Sequence, residues 1–518
     1  MAAVFEFASI DRPTTATVLA SVAEAHPNRD FVVDEDGPLG YAAAAARVAA
    51  LARRLTAAGV QPGDRVGLLL PNGARWCVGL LAAHAAGACA VPLNTWFGPD
   101  EMAGVLRRSA PRVVLADPEA ATRLALTGDT GVHIWPRGSD LPDGLPSAAT
   151  PTALREAPSS PDDDALLLFT SGSSAEPKAV RLTQGTVLSN AYAVGERQGI
   201  VPEDRFWFAL PLFFVFGCAN ALPNALTHAA TLCVQERFDP EPALAFIQRH
   251  RCTVYYGVGP ITRALVACPD RARYDISTLR TGTANATPDD LRLAIEELGV
   301  SEVCNAYGMT EGCGHTTITA HTDPPEARMT GQGTVLPTQR VRIVTDDDRP
   351  AGTGEPGHIQ ISGAITPGYL DDPARNAAAF TTDGWLRTGD LGALDETGRL
   401  RYLGRSHEMI KAKGINVSPA EVEGVLARHD RVDEAYVFGV DTEDGDQRVG
   451  AVLVAAVPSA QHGALVAEVT GWVRERVARY KVPSAVWVVT ADQLPLTSTG
   501  KVSKRLLHDQ VTTTPSVA

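Results

Sequence analysis

The segment Leu166-Leu-Leu-Phe-Thr-Ser-Gly-Ser-Ser-Ala-Glu-Pro-Lys178-Ala-Val180 carries more information than any other part of this chain. Its apolar beginning predicts a short buried strand that runs into a loop of small, hydroxyl-bearing residues. The polar groups of that loop belong to Thr170, Ser171, Ser173, Ser174 and Lys178, with Gly172 among them. Backbone N–H groups, hydroxyls and one ammonium directed at a single point bind phosphate oxygens. We therefore interpret the segment as a phosphate-binding loop, with an ordinary Ser- and Gly-rich surface turn as the alternative.

Composition limits the class of protein. The 518 residues exceed one ordinary domain, and 45% hydrophobic with 20% charged residues is typical of a soluble globular protein. The net charge of −14, with no basic run to offset it, argues against nucleic-acid binding. The eight cysteines are scattered singly, which indicates neither a zinc site nor a disulfide framework. Neither a signal peptide nor a membrane span is recognisable, so we expect a cytoplasmic protein without membrane or nucleic-acid partners.

Hydrophobic patterning predicts an α/β fold in two domains. Residues 1–405 form the large domain, in which strands alternate with helices as in two doubly wound αβ subdomains covered on both faces. Predicted elements there include helices at Gly40 to Gly59 and Trp76 to Gly87, and strands at Arg65 to Leu70, Cys89 to Pro92 and Val113 to Ala116. Short strands and glycine turns from Val335 to Tyr402 indicate a small β-rich subdomain.

The second predicted domain, residues 406–518, has an α+β pattern and about a hundred residues. Its predicted elements are helices at Pro419 to Ala427 and Ala464 to Arg479, and strands at Glu434 to Val440, Gly450 to Ala456 and Ala485 to Val489. The polar residues from Val511 to Ala518 predict a disordered tail.

Further motifs follow the first in a recognisable order. They are Thr281-Gly-Thr-Ala-Asn285, Asn305-Ala-Tyr-Gly-Met-Thr-Glu311, Gly384-Trp-Leu-Arg-Thr-Gly-Asp390 with Gly404-Arg405, and Pro495-Leu-Thr-Ser-Thr-Gly-Lys501. Taken alone, each is compatible with a plain turn. Their common order, spread from Thr170 to Lys501, resembles that of the adenylate-forming superfamily. Essentially the whole chain resembles an acyl-CoA ligase of that superfamily.

The resemblance implies a two-step reaction. A carboxylate and ATP give acyl-AMP and pyrophosphate, and CoA then displaces AMP after the second, mobile domain has rotated. In the first step Thr310 binds the α-phosphate, Glu311 holds Mg²⁺, and Lys501 stabilises the negative charge where carboxylate meets phosphorus. These three are the implied catalytic residues.

The resemblance also implies the remaining binding residues. Tyr307 packs against adenine, Asp390 accepts hydrogen bonds from the ribose hydroxyls, and Arg405 contacts ribose and phosphate. The other implied nucleotide-site residues are Gly282, Thr283, Ala284, Asn305 and Gly308. Gly414, with Lys413 beside it, is implied near the pantetheine of CoA. Ser406 and His407 form the implied hinge, where the family usually has Asp or Lys in place of His407.

The sequence also suggests the substrate class. Pro211-Leu-Phe-Phe-Val-Phe-Gly217 contains no acidic residue that could pair with a substrate ammonium, so an amino acid is disfavoured. Its aromatic side chains, together with small residues from two motifs, indicate an apolar pocket for a hydrophobic, bulky acid. The predicted pocket residues are Phe213, Phe214, Phe216, Ala284, Gly312 and Gly314. Ordinary core packing of the aromatic residues is the alternative.

Two glycines of the family's usual phosphate loop are replaced here, by Ala175 and Ala179. Glycine serves where the backbone approaches phosphates or takes a positive φ, so a methyl group at Ala175 could impair adenylation. The protein would then act mainly on acyl-AMP, supplied by a separate adenylating ligase. A complete ligase with a tolerant loop is the alternative. The sequence also leaves open a carrier-protein thiol as acceptor, a non-catalytic relative and the luciferase-like oxygenase branch.

Overall fold

The computed structural model describes residues 5–126, 131–143, 154–170, 177–285, 287–412, 415–442, 447–496 and 502–517. The chain divides into two compact units. The large unit comprises Met1–Val341, Ile361–Leu386 and Thr397–Leu400, and the small unit comprises Arg342–Gln360, Arg387–Glu396 and Arg401–Ala518. This division by compactness does not test which residues move together, so the predicted domain boundary after Arg405 stays a prediction.

Two mixed sheets, largely parallel, form the framework of the large unit. One has the strand order Glu302–Cys304, Thr281–Asn285, Val254–Val258, Arg205–Phe208, Thr231–Val234, Asp30–Asp34 and Gly37–Gly40. The other has the order Val132–Ile134, Val113–Ala116, Arg65–Leu69, Cys89–Pro92, Asp164–Thr170 and Lys178–Thr183. In each sheet the final pair is antiparallel, and the other pairs are parallel.

Apolar side chains cover both faces of these sheets. Adjacent residues Leu68 and Leu69 enter different apolar clusters because side chains alternate along a strand. The α-helices of the large unit are Thr15–Ala25, Tyr41–Ala57, Ala74–Ala85, Pro99–Ser109, Pro118–Arg123, Gln184–Gln198, Leu222–Thr227, Pro240–His250, Gly259–Val266, Pro288–Glu296, Pro325–Thr330 and Pro373–Ala379. Burial on both faces confirms the α/β class predicted for this part of the chain.

The predicted β-rich region is also present. Strands Ala306–Tyr307, Thr317–Ile318 and Thr334–Val335 form a three-stranded sheet. Strands Gln339–Val344, Gly357–Gly363, Leu386–Leu394 and Leu400–Arg405 form a four-stranded sheet in that order. None of the helices in the described ranges is long and apolar enough to cross a bilayer.

The small unit has the predicted α+β composition. Its elements include the strand pair Ile410–Ala412 and Ile415–Val417, the three-stranded sheet Glu434–Asp441, Gln447–Val454 and Ala485–Val489, and the helices Pro419–Leu426, His462–Arg474 and Lys504–Thr512. One face of the three-stranded sheet packs on the first two helices, and the other packs on the last helix.

The predicted disordered tail is wrong for the residues that the structure describes. Val511 is in the last helix and is 4% exposed, in the apolar cluster of Phe438 and Trp487. The Trp487 Nε1–H donates to the carbonyl oxygen of Thr514 at 3.1 Å. The N–H of Val517 donates to the carbonyl oxygen of Val486 at 2.7 Å. The tail is therefore held against the three-stranded sheet by packing and hydrogen bonds, which its polar composition does not reveal.

Candidate functional site

The two strands of a β-hairpin flank the predicted phosphate-binding loop. Strands Asp164–Thr170 and Lys178–Thr183 pair antiparallel, and Thr170 lies opposite Lys178. The hairpin therefore brings the two ends of the predicted loop together at the edge of the six-stranded sheet. The loop residues Ser171, Gly172, Ser173, Ser174 and Ala175 lie outside the described residues, so their roles stay predictions.

Ala179 fits its position without strain. It lies in the second hairpin strand, has no positive φ, and is fully buried in the apolar cluster that contains Leu167. Its carbonyl oxygen accepts a hydrogen bond from the N–H of Leu370 at 2.9 Å. A strand residue of this kind does not need to be glycine. Backbone strain at Ala179 therefore gives no reason for impaired adenylation. The prediction of impaired adenylation rests on Ala175.

The motif around Glu311 forms a closed loop. A strand at Ala306–Tyr307 is followed by a single 3₁₀ turn, Thr310–Gly312. The N–H of Thr316 donates to the carbonyl oxygen of Tyr307 at 2.8 Å and closes the loop. A Cβ atom on Gly308 would lie 1.9 Å from the carbonyl oxygen of Gly314, so this position requires glycine.

Tyr369 connects the hairpin with this loop. Its hydroxyl donates to Oε1 of Glu311 at 2.8 Å, and Glu311 is only 5% exposed. The Nζ of Lys178 lies 5.7 Å from the centre of the Tyr369 ring. Burial and the charge of Glu311 raise the pKa of Tyr369, so the hydroxyl stays protonated and acts as a donor. The sequence patterns did not single out Tyr369, because its contact with Glu311 spans 58 positions.

The segment Thr281–Asn285 is a strand between two parallel neighbours. A Cβ atom on Gly282 would lie 2.0 Å from the carbonyl oxygen of Tyr255, so the neighbouring strand requires this glycine. Ala284 is fully buried in the apolar cluster of Tyr255. Thr283 pairs with Tyr256, and alternation places those two on the opposite face.

The predicted pocket roles of Ala284 and Gly312 stay predictions. Phe216 stacks on Tyr256, and Tyr256 lies on the sheet face opposite to Ala284. A Cβ atom on Gly312 would lie 2.6 Å from Oγ1 of Thr316.

The predicted pocket residues Phe213 and Phe214 lie together with Trp96. The rings of Phe213 and Phe214 lie 4.6 Å apart, and Trp96, half exposed, packs edge-on against both at 5.5 and 5.9 Å. A Cβ atom on Gly314 would lie 3.7 Å from Cγ2 of Val215, so the Glu311 loop reaches this aromatic segment.

Chain geometry around Phe216 is unusual. The segment Phe216–Ala221 is π-helical, a form that occurs frequently at functional sites. The Phe216 ring stacks on Tyr256 at 5.0 Å and packs edge-on against His315 at 5.8 Å. The sequence patterns missed Trp96, Tyr256 and His315. The position of His315, four residues after the Glu311 that ends its motif, is the signal that could have found it.

The small unit contains the predicted ribose-binding pair. Nε of Arg405 lies 3.0 Å from Oδ1 of Asp390, which is 2% exposed. The N–H of Asp390 donates to Oγ1 of Thr388 at 3.1 Å, and that hydroxyl donates to the carbonyl oxygen of Ile359 at 2.7 Å. Burial and the charge of Asp390 raise the pKa of Tyr402. This arrangement fixes a buried carboxylate beside a guanidinium.

The predicted hinge begins a single 3₁₀ turn, Ser406–Glu408, in which the Ser406 hydroxyl donates to the carbonyl oxygen of Gly389 at 2.9 Å. The His407 side chain lies outside the described part of the structure, as do Lys413, Gly414 and Lys501. Their predicted roles in hinge motion, CoA binding and catalysis stay predictions.

Comparison with known proteins identifies the family. The AMP-binding enzyme model matches residues 19–370, and the AMP-binding enzyme C-terminal domain model matches residues 421–501. The 3-[(3aS,4S,7aS)-7a-methyl-1,5-dioxo-octahydro-1H-inden-4-yl]propanoyl:CoA ligase of Mycobacterium tuberculosis is 35% identical over 522 residues, covering 96% of this chain and 99% of its own. A feruloyl-CoA synthase of an Amycolatopsis species is 33% identical over 470 residues, covering 90% of this chain and 92% of its own.

A solved structure agrees with these relatives. The O-succinylbenzoate coenzyme A synthetase of Bacillus subtilis in complex with AMP matches with a TM-score of 0.80 and 29% identity, over 96% of this chain and 98% of its own. The chain therefore belongs to the AMP-binding enzyme family, in its acyl-CoA ligase branch, and is an acid–thiol ligase that forms AMP.

Proposed function

We propose that the protein converts a bulky, largely hydrophobic carboxylic acid into its CoA thioester through acyl-AMP. The observation that carries this proposal is the aromatic cluster Trp96, Phe213 and Phe214, whose neighbouring residue Val215 adjoins the loop of Glu311. An apolar wall beside a predicted phosphate site suits an acid whose carboxylate meets ATP. The names of two relatives, a bicyclic propanoyl:CoA ligase and a feruloyl-CoA synthase, support a substrate with a ring system.

In the first half-reaction, a carboxylate oxygen attacks the α-phosphorus of ATP. A bond from acyl oxygen to phosphorus forms, and the bond to the pyrophosphate oxygen breaks. Lys178 and the loop hydroxyls hold the phosphates, Thr310 donates a hydrogen bond to the α-phosphate, and Lys501 balances the charge of the incoming carboxylate.

Glu311 fits a role in binding Mg²⁺. Mg²⁺ in nucleotide sites commonly takes one or two carboxylates together with phosphate oxygens and water. Glu311 supplies one such carboxylate, which the Tyr369 hydroxyl fixes at 2.8 Å. Among the described residues, no group of three or more acidic, His or Cys side chains could hold a metal without a nucleotide. When bound, the cation would neutralise charge on the departing pyrophosphate.

In the second half-reaction, the CoA sulfur attacks the acyl carbon and AMP leaves. Asp390 and Arg405 hold the adenosine half through both steps. Ser406 and His407 absorb the backbone rotation that moves residues 406–518, and Gly414 with Lys413 admits the pantetheine. We propose CoA as the acceptor instead of a carrier-protein thiol, because the relatives are named as CoA ligases. We also propose a cytoplasmic location, where ATP and CoA are available.

The test is a panel of carboxylic acids with ATP, Mg²⁺ and CoA, read out as AMP and thioester. Ring-containing acids should be turned over faster than short linear acids and amino acids. Gly414→Leu should abolish the thioester and leave the binding of a supplied acyl-AMP near normal, because its side chain would block only the thiol. Equal loss of both in that variant would contradict the CoA assignment, and preference for short or charged acids would contradict the substrate class.

A further inference from the structure

Four buried polar side chains of the large unit form a continuous hydrogen-bonded chain beside Phe216. Nδ2 of Asn224 donates to the hydroxyl of Tyr256 at 2.9 Å. That hydroxyl lies 2.9 Å from Oδ1 of Asn220 and 3.1 Å from Oε1 of Gln198, and its single proton serves one of these two acceptors. Nδ2 of Asn220 lies 2.8 Å from Nδ1 of His315. All four side chains are at most 1% exposed. The direction of each bond therefore limits the direction of the next.

This chain fixes the tautomer of His315. With Oδ1 of Asn220 towards Tyr256 and Nδ2 towards His315, Nδ1 is an acceptor and the single ring proton lies on Nε2. Burial lowers the pKa of His315 to about 4, so the ring is neutral at physiological pH. His315 thus presents one neutral N–H donor at Nε2.

The Nε2 donor of His315 has no hydrogen-bond partner among the described residues. A buried donor without an acceptor costs free energy, and native structures satisfy nearly all such groups. His84 provides a contrast in the same unit. It is equally buried, but Nδ1 lies 3.0 Å from the hydroxyl of Thr15 and Nε2 lies 2.8 Å from the carbonyl oxygen of Ala165. Nε2 of His315 therefore lacks a hydrogen-bond partner among the described residues, whereas both ring nitrogens of His84 have one.

The position of His315 indicates where an acceptor would come from. Its ring packs edge-on against Phe216, and the preceding residue, Gly314, adjoins Val215 of the aromatic segment. Both contacts belong to the proposed acyl pocket. An acceptor that completes His315 from the side of these contacts would be uncharged. A second carboxylate would be buried next to a neutral ring with no cation among its described partners.

We propose that His315 is a specificity-determining residue whose Nε2–H donates to a neutral oxygen, a ketone carbonyl, on the otherwise hydrophobic skeleton of the acid. This inference rests on the proposed function and deepens it by naming a polar group of the substrate. A site built to bond an oxygen rejects the analogue that lacks it, because the buried donor is then left unpaired.

The test compares two acids that differ only in that oxygen, 3-(4-oxocyclohexyl)propanoate and 3-cyclohexylpropanoate. The unmodified enzyme should prefer the oxo acid in kcat/KM, and His315→Phe should reduce that preference about 5- to 100-fold. His315→Gln, which keeps a donor, should retain part of it. His84→Phe is the matched control, and it should lower the rate with both acids in parallel through reduced stability.

Binding of the two acyl-sulfamoyl adenosine analogues, measured by calorimetry, provides a readout that does not need turnover. If the oxo preference is absent, or unchanged in His315→Phe, the inference is wrong and the donor is satisfied by water. Turnover of both acids with no discrimination would overturn this inference while the ligase function stands. Failure of every acid, as free acid and as acyl-AMP, would instead overturn the proposed substrate class, and the analogue affinities would still decide the role of His315.

Discussion

The hydroxyl of Tyr369 is expected to hold Glu311 in position for the first half-reaction. Tyr369→Phe removes one oxygen atom and keeps the ring, whose centre lies 5.7 Å from Nζ of Lys178 and 5.8 Å from Cζ of Arg375. A hydrogen bond to a charged group contributes about 1.5–3 kcal/mol, which corresponds to a factor of about 10 to 150. Because the bonded carboxylate is the proposed Mg²⁺ ligand, this loss should fall on adenylation.

The assay is ATP–pyrophosphate exchange as a function of Mg²⁺ concentration, alongside thioester formation from supplied acyl-AMP. We expect slower exchange and a higher Mg²⁺ requirement, with little change in the second half-reaction, from which pyrophosphate is absent. Tyr41→Phe is the matched control, because the Tyr41 hydroxyl is also buried but donates to the carbonyl oxygen of Ala230 at 2.7 Å. An unchanged Mg²⁺ profile, or an equal loss in both half-reactions, would refute this role for Tyr369.

Three further predictions concern the other parts of the site. Asp390→Ala should weaken AMP binding about 10- to 100-fold, since a hydrogen bond to a buried charge is lost; an unchanged Kd by calorimetry would show that the ribose binds elsewhere. Ala175→Gly should speed pyrophosphate exchange if the loop is impaired, whereas Ala179→Gly should not, because its methyl group packs in a strand; fast exchange in the unmodified protein would show that adenylation is intact. Burial lowers the pKa of His84 and of His315 to about 4, below the unfolded value of about 6.5, so the unfolded state binds more protons between these values. Stability should therefore be complete above about pH 6.5 and fall towards pH 4 by up to about 1.4 kcal/mol per pH unit for each histidine; urea unfolding at several pH values checks this, and a flat profile would contradict it.

The elements that sequence predicted best are those whose pattern is local. The strands Cys89–Pro92 and Ala485–Val489 have the predicted bounds because short apolar runs between polar or glycine-containing turns mark buried strands. The long helix Tyr41–Ala57 was also predicted, since its buried residues recur every three or four positions. The family and the α/β class followed from motifs that are contiguous in sequence.

The parts that sequence did not predict depend on distant contacts. Thr281–Asn285 contains glycine and polar residues, which favour a loop, yet it is a strand because both neighbouring strands pair with it. Tyr369 is hydrogen-bonded to Glu311, which lies 58 positions away in the sequence, and Asn220 is hydrogen-bonded to His315, which lies 95 positions away. Local patterns carry no signal for such pairs, so the motif predicted Glu311 but not the residue that fixes it.

The residues after Thr512 have a consequence for self-association. In the three-stranded sheet, Ala485–Val489 is an outer strand, and outer strands offer unpaired N–H and carbonyl groups to other chains. Val517 bonds to the carbonyl oxygen of Val486, and Thr514 accepts from the indole of Trp487. These last residues therefore cover part of the outer strand Ala485–Val489. A version of the chain cut after Thr512 would leave the carbonyl oxygen of Val486 and the indole N–H of Trp487 without these partners, and both could then bond to a second copy.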